Sequence, residues 1–447
     1  MKKVLIITYY FPPSGGPGVQ RVLKHIKYLR EFGWQPYVLT VSNGQYPAID
    51  ESLIGQIPKD VVVERTKIYE PYDIYRLLTG KKKGSAIDVN VIKKDDQKMP
   101  LMEKIAEFIR ATFFIPDARI GWLPTAVPKA IEMIERYNID AIYSSSPPYT
   151  CSIVAKKVKN ILKNKGKNIP WIAGFRDPWT GFISSPKRWS LPSKIDKKME
   201  YDTFNESDFV ECAWEGIIKD AIGKYPNLDK NKFIHIPNGF DSSDIPIIDA
   251  EVIKTNQEQD IFTLTYTGSM YGRRNPQALF DAVENLINKN IIDKKKIKLR
   301  FVGRFGNEVL DMINETSFKD SIELVGYVTH EKSIEYLLTS DALLLVVDES
   351  KESAEIVPGK VYEYMGVYKP LFTIAPEDGA IAKLVRETNS GLIAHQTNIK
   401  GIESIFEKYY NAKMNKENLI SPNIDAIKQY ERRNSAKQLA ALLDSIT

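Results

Sequence analysis

The chain of 447 residues is poor in the side chains that staple or metallate a protein, with two cysteines, Cys151 and Cys212, and four histidines. Two thiols cannot cross-link a chain of this length, and no Cys/His spacing has the form of a zinc site. A reducing, cytoplasmic setting is expected. No apolar run approaches the roughly 18 residues of a membrane-spanning helix; runs such as those at 4–7 and 342–347 are strand-sized. The opening MKKVLIITYYFPP breaks at Pro12 without a small-residue cleavage site, so neither a signal peptide nor a membrane anchor is expected.

What is present is ordinary for a globular protein: 43% hydrophobic and 27% charged residues, which excludes wholesale disorder. The length favours two or three domains. The net charge of +5 hides an asymmetry: residues 1–240 hold 37 Lys and Arg against 26 Asp and Glu, and the rest holds 25 against 31. A basic front half suits an anionic partner, or is simply a lysine-rich solvated surface.

Strand and helix patterns alternate from the start. VLIIT, a Pro/Gly loop at 12–18, a helical period over 19–32 ending at Gly33, and QPYVLTV make a βαβ unit, which calls for a parallel sheet. Residues 48–98 are poorly patterned, carry Lys81, Lys82, Lys83, Lys93 and Lys94, and read as a mobile excursion. Alternation resumes with a helix at 126–137, strand 141–146, helix 150–164, and strands 171–177 and 209–213. A second series starts at FTLTYTG (262–268) and runs through strands near 298–303, 323–327, 342–347 and 370–375 to a last helical stretch at 425–445. Two α/β halves meet near 242–260, and ligands of such sheets lie outside the carboxyl ends of the strands. The expected domains are 1–243, 244–424 and a terminal helix over 425–447.

Three constellations could carry chemistry. Ser14-Gly15-Gly16-Pro17-Gly18 joins a strand to a helix start, where amides and the helix dipole favour an anion; the same glycines also suit a tight turn without ligand. It is not a dinucleotide fingerprint, because Arg21 stands at the third glycine position and the second strand ends in Thr40, Val41 and Ser42 rather than an acid. The segment ESAEIVPGKVYEYMG places Glu355 and Glu363 eight positions apart around Gly359 and Lys360, either as polyol- and phosphate-binding groups or as solvated surface charges. Gly268-Ser269-Met270-Tyr271-Gly272-Arg273-Arg274 again follows a strand end. Guanidiniums at a helix start are slightly disfavoured by the dipole, which tilts the balance toward phosphate binding.

The sequence resembles GT-B-fold glycosyltransferases of family 4, the bacterial type that builds surface polysaccharides. YYFPPSGGPGVQRVLKHIKYLREFGWQPYVLTV (9–41), IPDARIGWLP (115–124), SSSPP with WIAGFRDPWTG (144–181), IPNGFD (236–241), YTGSMYGRRNP (266–276) and the paired glutamates carry the resemblance, which covers nearly all but 44–98. It implies two Rossmann-like doubly wound α/β domains facing across a cleft, with the terminal helix crossing back to the first. It further implies a retaining, metal-independent transfer of sugar from a nucleotide-diphosphate sugar, whose hydrolysis domain closure would limit.

By the same resemblance, Glu355 holds the donor sugar, Glu363 the ribose, and Gly15, Gly16, Arg273, Arg274, Lys360 and Gly359 surround the diphosphate. Ser269 departs from the pattern, since many relatives carry an arginine there; Arg273 or Lys360 is left to supply the charge. Arg176 and Asp177 fall on the acceptor side, where relatives often have a catalytic His-Asp or similar pair. Asp177 either contacts acceptor or sugar, or fixes Arg176 and Trp179. Glu355, Asp177 and Arg274 are the expected catalytic residues, and His25, His235, His330 and His395 are read as structural. No Asp-x-Asp pair occurs, so neither a metal nor a cofactor is expected.

The acceptor implied is a glycan or polyprenyl-diphosphate-linked sugar in capsule, O-antigen or exopolysaccharide synthesis. Residues 100–116, amphipathic through Leu101, Ile105, Phe108, Ile109 and Phe113, either pack on their own domain or dock on anionic lipid beside the lysines at 81–83. The alternatives are a sugar-nucleotide epimerase on the same scaffold and a nucleic-acid-binding protein. The second lacks an aromatic stacking platform and is opposed by the acidic back half.

Overall fold

The computed structural model describes residues 1–46, 48–69, 108–182, 185–245, 260–272, 274–348 and 354–447. The chain divides into two compact units: Met1–Asn238 with Arg432–Thr447, and Gly239–Glu431.

In the first unit, β1 (Lys2–Thr8), β2 (Trp34–Val41), β3 (Val62–Thr66), β4 (Ala141–Ser146), β5 (Trp171–Phe175), β6 (Phe209–Cys212) and β7 (Phe233–His235) form a parallel sheet in the order β3-β2-β1-β4-β5-β6-β7. Val4, Leu5, Ile6 and Ile7 are fully buried, as a parallel strand covered on both faces requires. The helix Pro17–Tyr28 begins with proline in its first turn, and the tighter turn after it stops at Gly33, whose φ of 84° only glycine adopts readily. The terminal helix Arg432–Ile446 sends Leu439, Ala440 and Leu443 into the same core as Val22, Leu23 and Ile26.

In the second unit, β8 (Phe262–Thr267), β9 (Ile297–Val302), β10 (Ile322–Gly326), β11 (Ala342–Val346), β12 (Leu371–Ile374) and β13 (Gly391–Ala394) are parallel in the order β10-β9-β8-β11-β12-β13. Helices Gln277–Asn288 and Ile399–Asn415 pack on one face through Leu279, Val283, Phe406 and Tyr409. Helix Lys360–Gly366 contributes Val361, Tyr364 and Met365 to a second core with Leu343 and Leu371.

In both sheets the winding reverses once, between β1 and β4 and between β8 and β11. The loops leaving those strands part to opposite sides and open a crevice at the strand ends. The glycine loop and SSSPP follow β1 and β4; GSMYGRR and the segment bearing Glu355 follow β8 and β11.

Several elements differ from the sequence expectation. β3 lies inside 48–98, read as an excursion, because a short edge strand of half-buried residues gives little periodic signal. Residues 70–107, with the lysines at 81–83, 93 and 94 and positions 100–107 of the amphipathic stretch, lie outside the described residues. Helices Ser190–Glu206 and Glu215–Lys224 had no counterpart in the sequence pattern. The stretch at 425–445 is two helices, Ile424–Lys428 and Arg432–Ile446. Between them the Tyr430 carbonyl accepts from the Phe240 amide at 3.1 Å instead of continuing a helical ladder.

Candidate active site

In the second unit the β8 loop turns at Gly268 (φ 112°), whose amide donates to Val302 O at 2.8 Å. Gly303 (φ 142°) closes on it so tightly that a Cβ there would lie 2.0 Å from Gly268 O. A Cβ on Gly268 would meet Lys360 Nζ at 2.8 Å. The backbone therefore has to be bare at both positions for the lysine to reach the end of β8.

Lys360 Nζ donates to Tyr266 Oη (2.7 Å) and Thr267 O (2.8 Å), and sits 3.9 Å from the Tyr266 ring centre. The phenol in turn donates to Ser269 O at 2.8 Å. Arg274 approaches the same phenol: burial pushes the Tyr266 pKa up to about 12, against the pull of the guanidinium and its hydrogen bond. Arg274 Nε is buried without a partner among the described residues. Burial of the ammonium, and then the like charge of Arg274, hold Lys360 well below an ordinary lysine, while Glu363 opposes them. Two cations thus share one phenol at a strand end, an arrangement that an anion would relieve.

Glu363 stands one turn into its helix, with Oε1 3.2 Å from His330 Nε2, and both side chains are partly exposed. Glu355 is exposed, in the turn leading to Lys360. Its neighbour Ala354 is seated against Gly379, where a Cβ would come 2.9 Å from Ala354 O. Gly359 has helical φ of −54° and directly precedes Lys360. Arg273 lies outside the described residues. Of the expected donor residues, Arg274, Lys360 and Glu363 are drawn around the β8 end and the adjoining helix.

In the first unit, Gly15 donates its amide to Ala48 O at 3.0 Å, which commits that group within the loop. Gly16 is exposed at φ 107°, at the start of its helix. Arg176 lies across the same helix start: a Cβ on Gly18 would meet its guanidinium at 3.1–3.3 Å. Its Nη1 donates to Ser145 Oγ (2.5 Å) and its Nη2 to Pro147 O.

Asp177 makes no hydrogen bond to the described residues. Burial raises its pKa, and Arg176 only partly offsets this. The loop bearing both residues is held from below. Trp179 stacks on Tyr149 (4.6 Å, 12°) and donates to Asp196 Oδ1 at 2.8 Å, while Thr180 bonds the buried Glu200 through its amide and hydroxyl. With Trp179 anchored by other groups, Asp177 is not needed to hold it.

Tyr266 and His330 were not singled out as site residues from the sequence. Tyr266 sat in an apolar strand pattern, and His330 is 33 positions from the glutamate it meets. Among the described residues, no group of three or more His, Cys, Asp or Glu is placed to hold a metal ion.

Residues 248–424 match the model of the family described as glycosyl transferases group 1. Among solved structures, HepE from Anabaena in complex with UDP has a TM-score of 0.63 at 14% identity, the match covering 100% of both chains. A glycosyltransferase from Rickettsia africae follows at 0.61 and 13%, covering 100% of this chain and 98% of that one. A TarM variant from S. aureus, in complex with fondaparinux, alpha-GlcNAc-glycerol and UDP, has 0.58 and 10%, covering 99% and 100%. No curated protein sequence matches the chain. The fold is GT-B, and the domain in the second unit marks the chain as a glycosyltransferase.

Proposed function

We propose that the protein transfers a sugar from a nucleotide-diphosphate sugar to a hydroxyl of a glycan or lipid-linked acceptor in bacterial surface-polysaccharide synthesis, with retention and without a metal. The observation that carries this is the pair Lys360 and Arg274 around Tyr266, at the winding reversal of the second sheet. Two cations in a half-buried setting are suited to the charge that develops as a diphosphate leaves. They take the place of the arginine missing at Ser269.

Glu363, oriented by His330, receives ribose hydroxyls, and Glu355 receives sugar hydroxyls; carboxylates accept such hydrogen bonds strongly. The bond from the anomeric carbon to the phosphate oxygen breaks with its electron pair going to the diphosphate. The acceptor oxygen bonds that carbon on the same face, and its proton passes to the departing phosphate. Arg176 and Asp177 serve the acceptor.

The supporting likeness includes neighbours solved with UDP, with UDP-glucose, and with a glycan and a glycerol glycoside. The test is transfer from a panel of nucleotide sugars to lipid extract in EDTA, with the anomeric configuration of donor and product compared by NMR. Glu355→Ala should abolish transfer while melting like the parent protein. Normal transfer by that variant removes Glu355 from the site. Conversion of the donor sugar to its epimer without acceptor would replace transfer with epimerisation.

A further inference from the structure

The Arg176 amide still donates to Ser146 O at 2.9 Å, but beyond it the loop 177–181 has left β5 and has no backbone ladder among the described residues. Side chains from elsewhere take over that role. The carbonyl of Arg176 accepts from Trp214 Nε1 at 3.0 Å, that of Pro178 from Tyr149 Oη, that of Trp179 from Ser185 Oγ at 2.5 Å, and that of Thr180 from Lys224 Nζ. Thr180 in turn donates its amide (3.1 Å) and its hydroxyl to Glu200, which is fully buried.

Glu200 and Lys224 are themselves tied down. Glu200 Oε1 lies 3.4 Å from Lys224 Nζ, its Oε2 accepts from Tyr225 Oη at 2.8 Å, and Lys224 Nζ reaches Asp220 Oδ2 at 2.6 Å. Glu200 belongs to the helix Ser190–Glu206, and Lys224 ends the helix Glu215–Lys224, so two helices grip one residue of the loop. Burial raises the Glu200 pKa, against the pull of Lys224 and of the hydrogen bonds from Thr180 and Tyr225. A buried ion pair adds little net stability, because desolvation offsets the attraction and apolar residues of similar size serve as well. A gain in stability therefore does not account for this pair, whereas a loop without a ladder needs the fixed geometry it provides.

The clamp leaves one group over. Arg176 is engaged with Ser145 and Pro147, Trp179 with Asp196, and Thr180 with Glu200. Of the polar side chains in 176–180, Asp177 alone has no hydrogen-bond partner among the described residues. We propose that Glu200 and Lys224 are positioning residues for transfer: by clamping Thr180 they hold the Asp177 carboxyl in one orientation, in which it accepts a hydrogen bond from the acceptor. The inference rests on the acceptor-side reading of Asp177 and adds the device that aims it. Neither Glu200 nor Lys224 touches substrate; both act through the loop.

The test is the partition of a nucleotide sugar between transfer and hydrolysis by the full chain, with UDP- and GDP-hexoses in the presence and absence of lipid extract. In Glu200→Gln/Lys224→Met both charges go together, so neither is stranded, and the thermal midpoint should stay near the parent's. The ratio of sugar transferred to sugar hydrolysed should fall by roughly tenfold or more, the scale on which small misplacements act, with the KM for the donor unchanged. Should that variant melt well below the parent, Trp214→Phe removes one indole N–H, keeps a ring, and should lower the same ratio from the other end of the loop. An unchanged ratio in the folded variant overturns the proposal. So does an equal fall in transfer and hydrolysis, which would make the pair a support of the fold alone. If Asp177→Asn leaves the ratio unchanged, or if the parent transfers nothing, the reading of the site fails and the inference falls with it.

Discussion

Replacing Lys360 with methionine should change free and ligand-bound protein in opposite directions. Methionine keeps an unbranched apolar stem over the Tyr266 ring and removes the ammonium. In the free protein that ammonium is held well below its ordinary pKa of 10.5, first by burial and then by Arg274. A lysine lowered in the fold binds fewer protons folded than unfolded, so parent stability rises with pH from the folded pKa up to the unfolded one. The variant lacks that slope. Its gain in stability is greatest below the folded pKa and fades toward 10.5. The acceptors it abandons are not stranded, because Thr267 O also receives Tyr364 Oη at 3.3 Å.

With ligand the sign reverses. A hydrogen bond to a charged group is worth about 1.5–3 kcal/mol, so the dissociation constant for a nucleotide diphosphate should rise by roughly 10- to 150-fold. Thermal melts from pH 6 to 10 and calorimetric titration with UDP, GDP and ADP measure the two effects on one preparation. A variant that melts lower at every pH and binds each nucleotide as the parent does would refute the reasoning.

Other substitutions test separate parts of the architecture. Gly303→Ala puts a methyl 2.0 Å from Gly268 O at φ 142° and should cost about 2–6 kcal/mol, read as a lowered midpoint in denaturant. Asp177→Asn should stabilise the protein at neutral pH. The carboxyl's raised pKa means the parent has full stability below the unfolded value of 3.8 and loses some as pH rises through the folded one, so the benefit should vanish in acid melts. Arg21→Met strands the buried Glu211 with only the Tyr143 hydroxyl at 3.0 Å and should cost about 3–5 kcal/mol, measured by equilibrium unfolding of the first unit.

Arg21 also shows how the sequence could be read correctly and explained incompletely. It broke the dinucleotide pattern, and the structure supplies the reason that position is not glycine. The guanidinium is buried and binds Glu211, Ile236 O (2.7 Å), Pro237 O (3.1 Å) and Asn238 Oδ1 (2.8 Å), tying the helix Pro17–Tyr28 to the segment that leaves the first unit. No local spacing records a contact across more than 200 positions.

β1 and β11 were legible because each holds a continuous apolar run covered on both faces. β3 and β13 were not, since edge strands are short and half-buried. Helix Ser190–Glu206 lacks a clean apolar stripe because it buries Asp196 and Glu200 as anchors for the loop above. At the site, the motif positions of Lys360, Arg274 and Glu363 could be read locally. The phenol between the two cations and the imidazole beside Glu363 come from other strands and helices, and so required the fold.

The most direct test of the anion-site claim is a thermal-shift titration of the parent protein and of Lys360→Met/Arg274→Gln with nucleoside diphosphates in EDTA. A ligand at 100 times its dissociation constant adds about 2.7 kcal/mol to the native state. At least one diphosphate should therefore raise the parent's midpoint and leave the double variant's unmoved. If no diphosphate shifts the parent, or if the shift survives loss of both cations, the site has been wrongly placed.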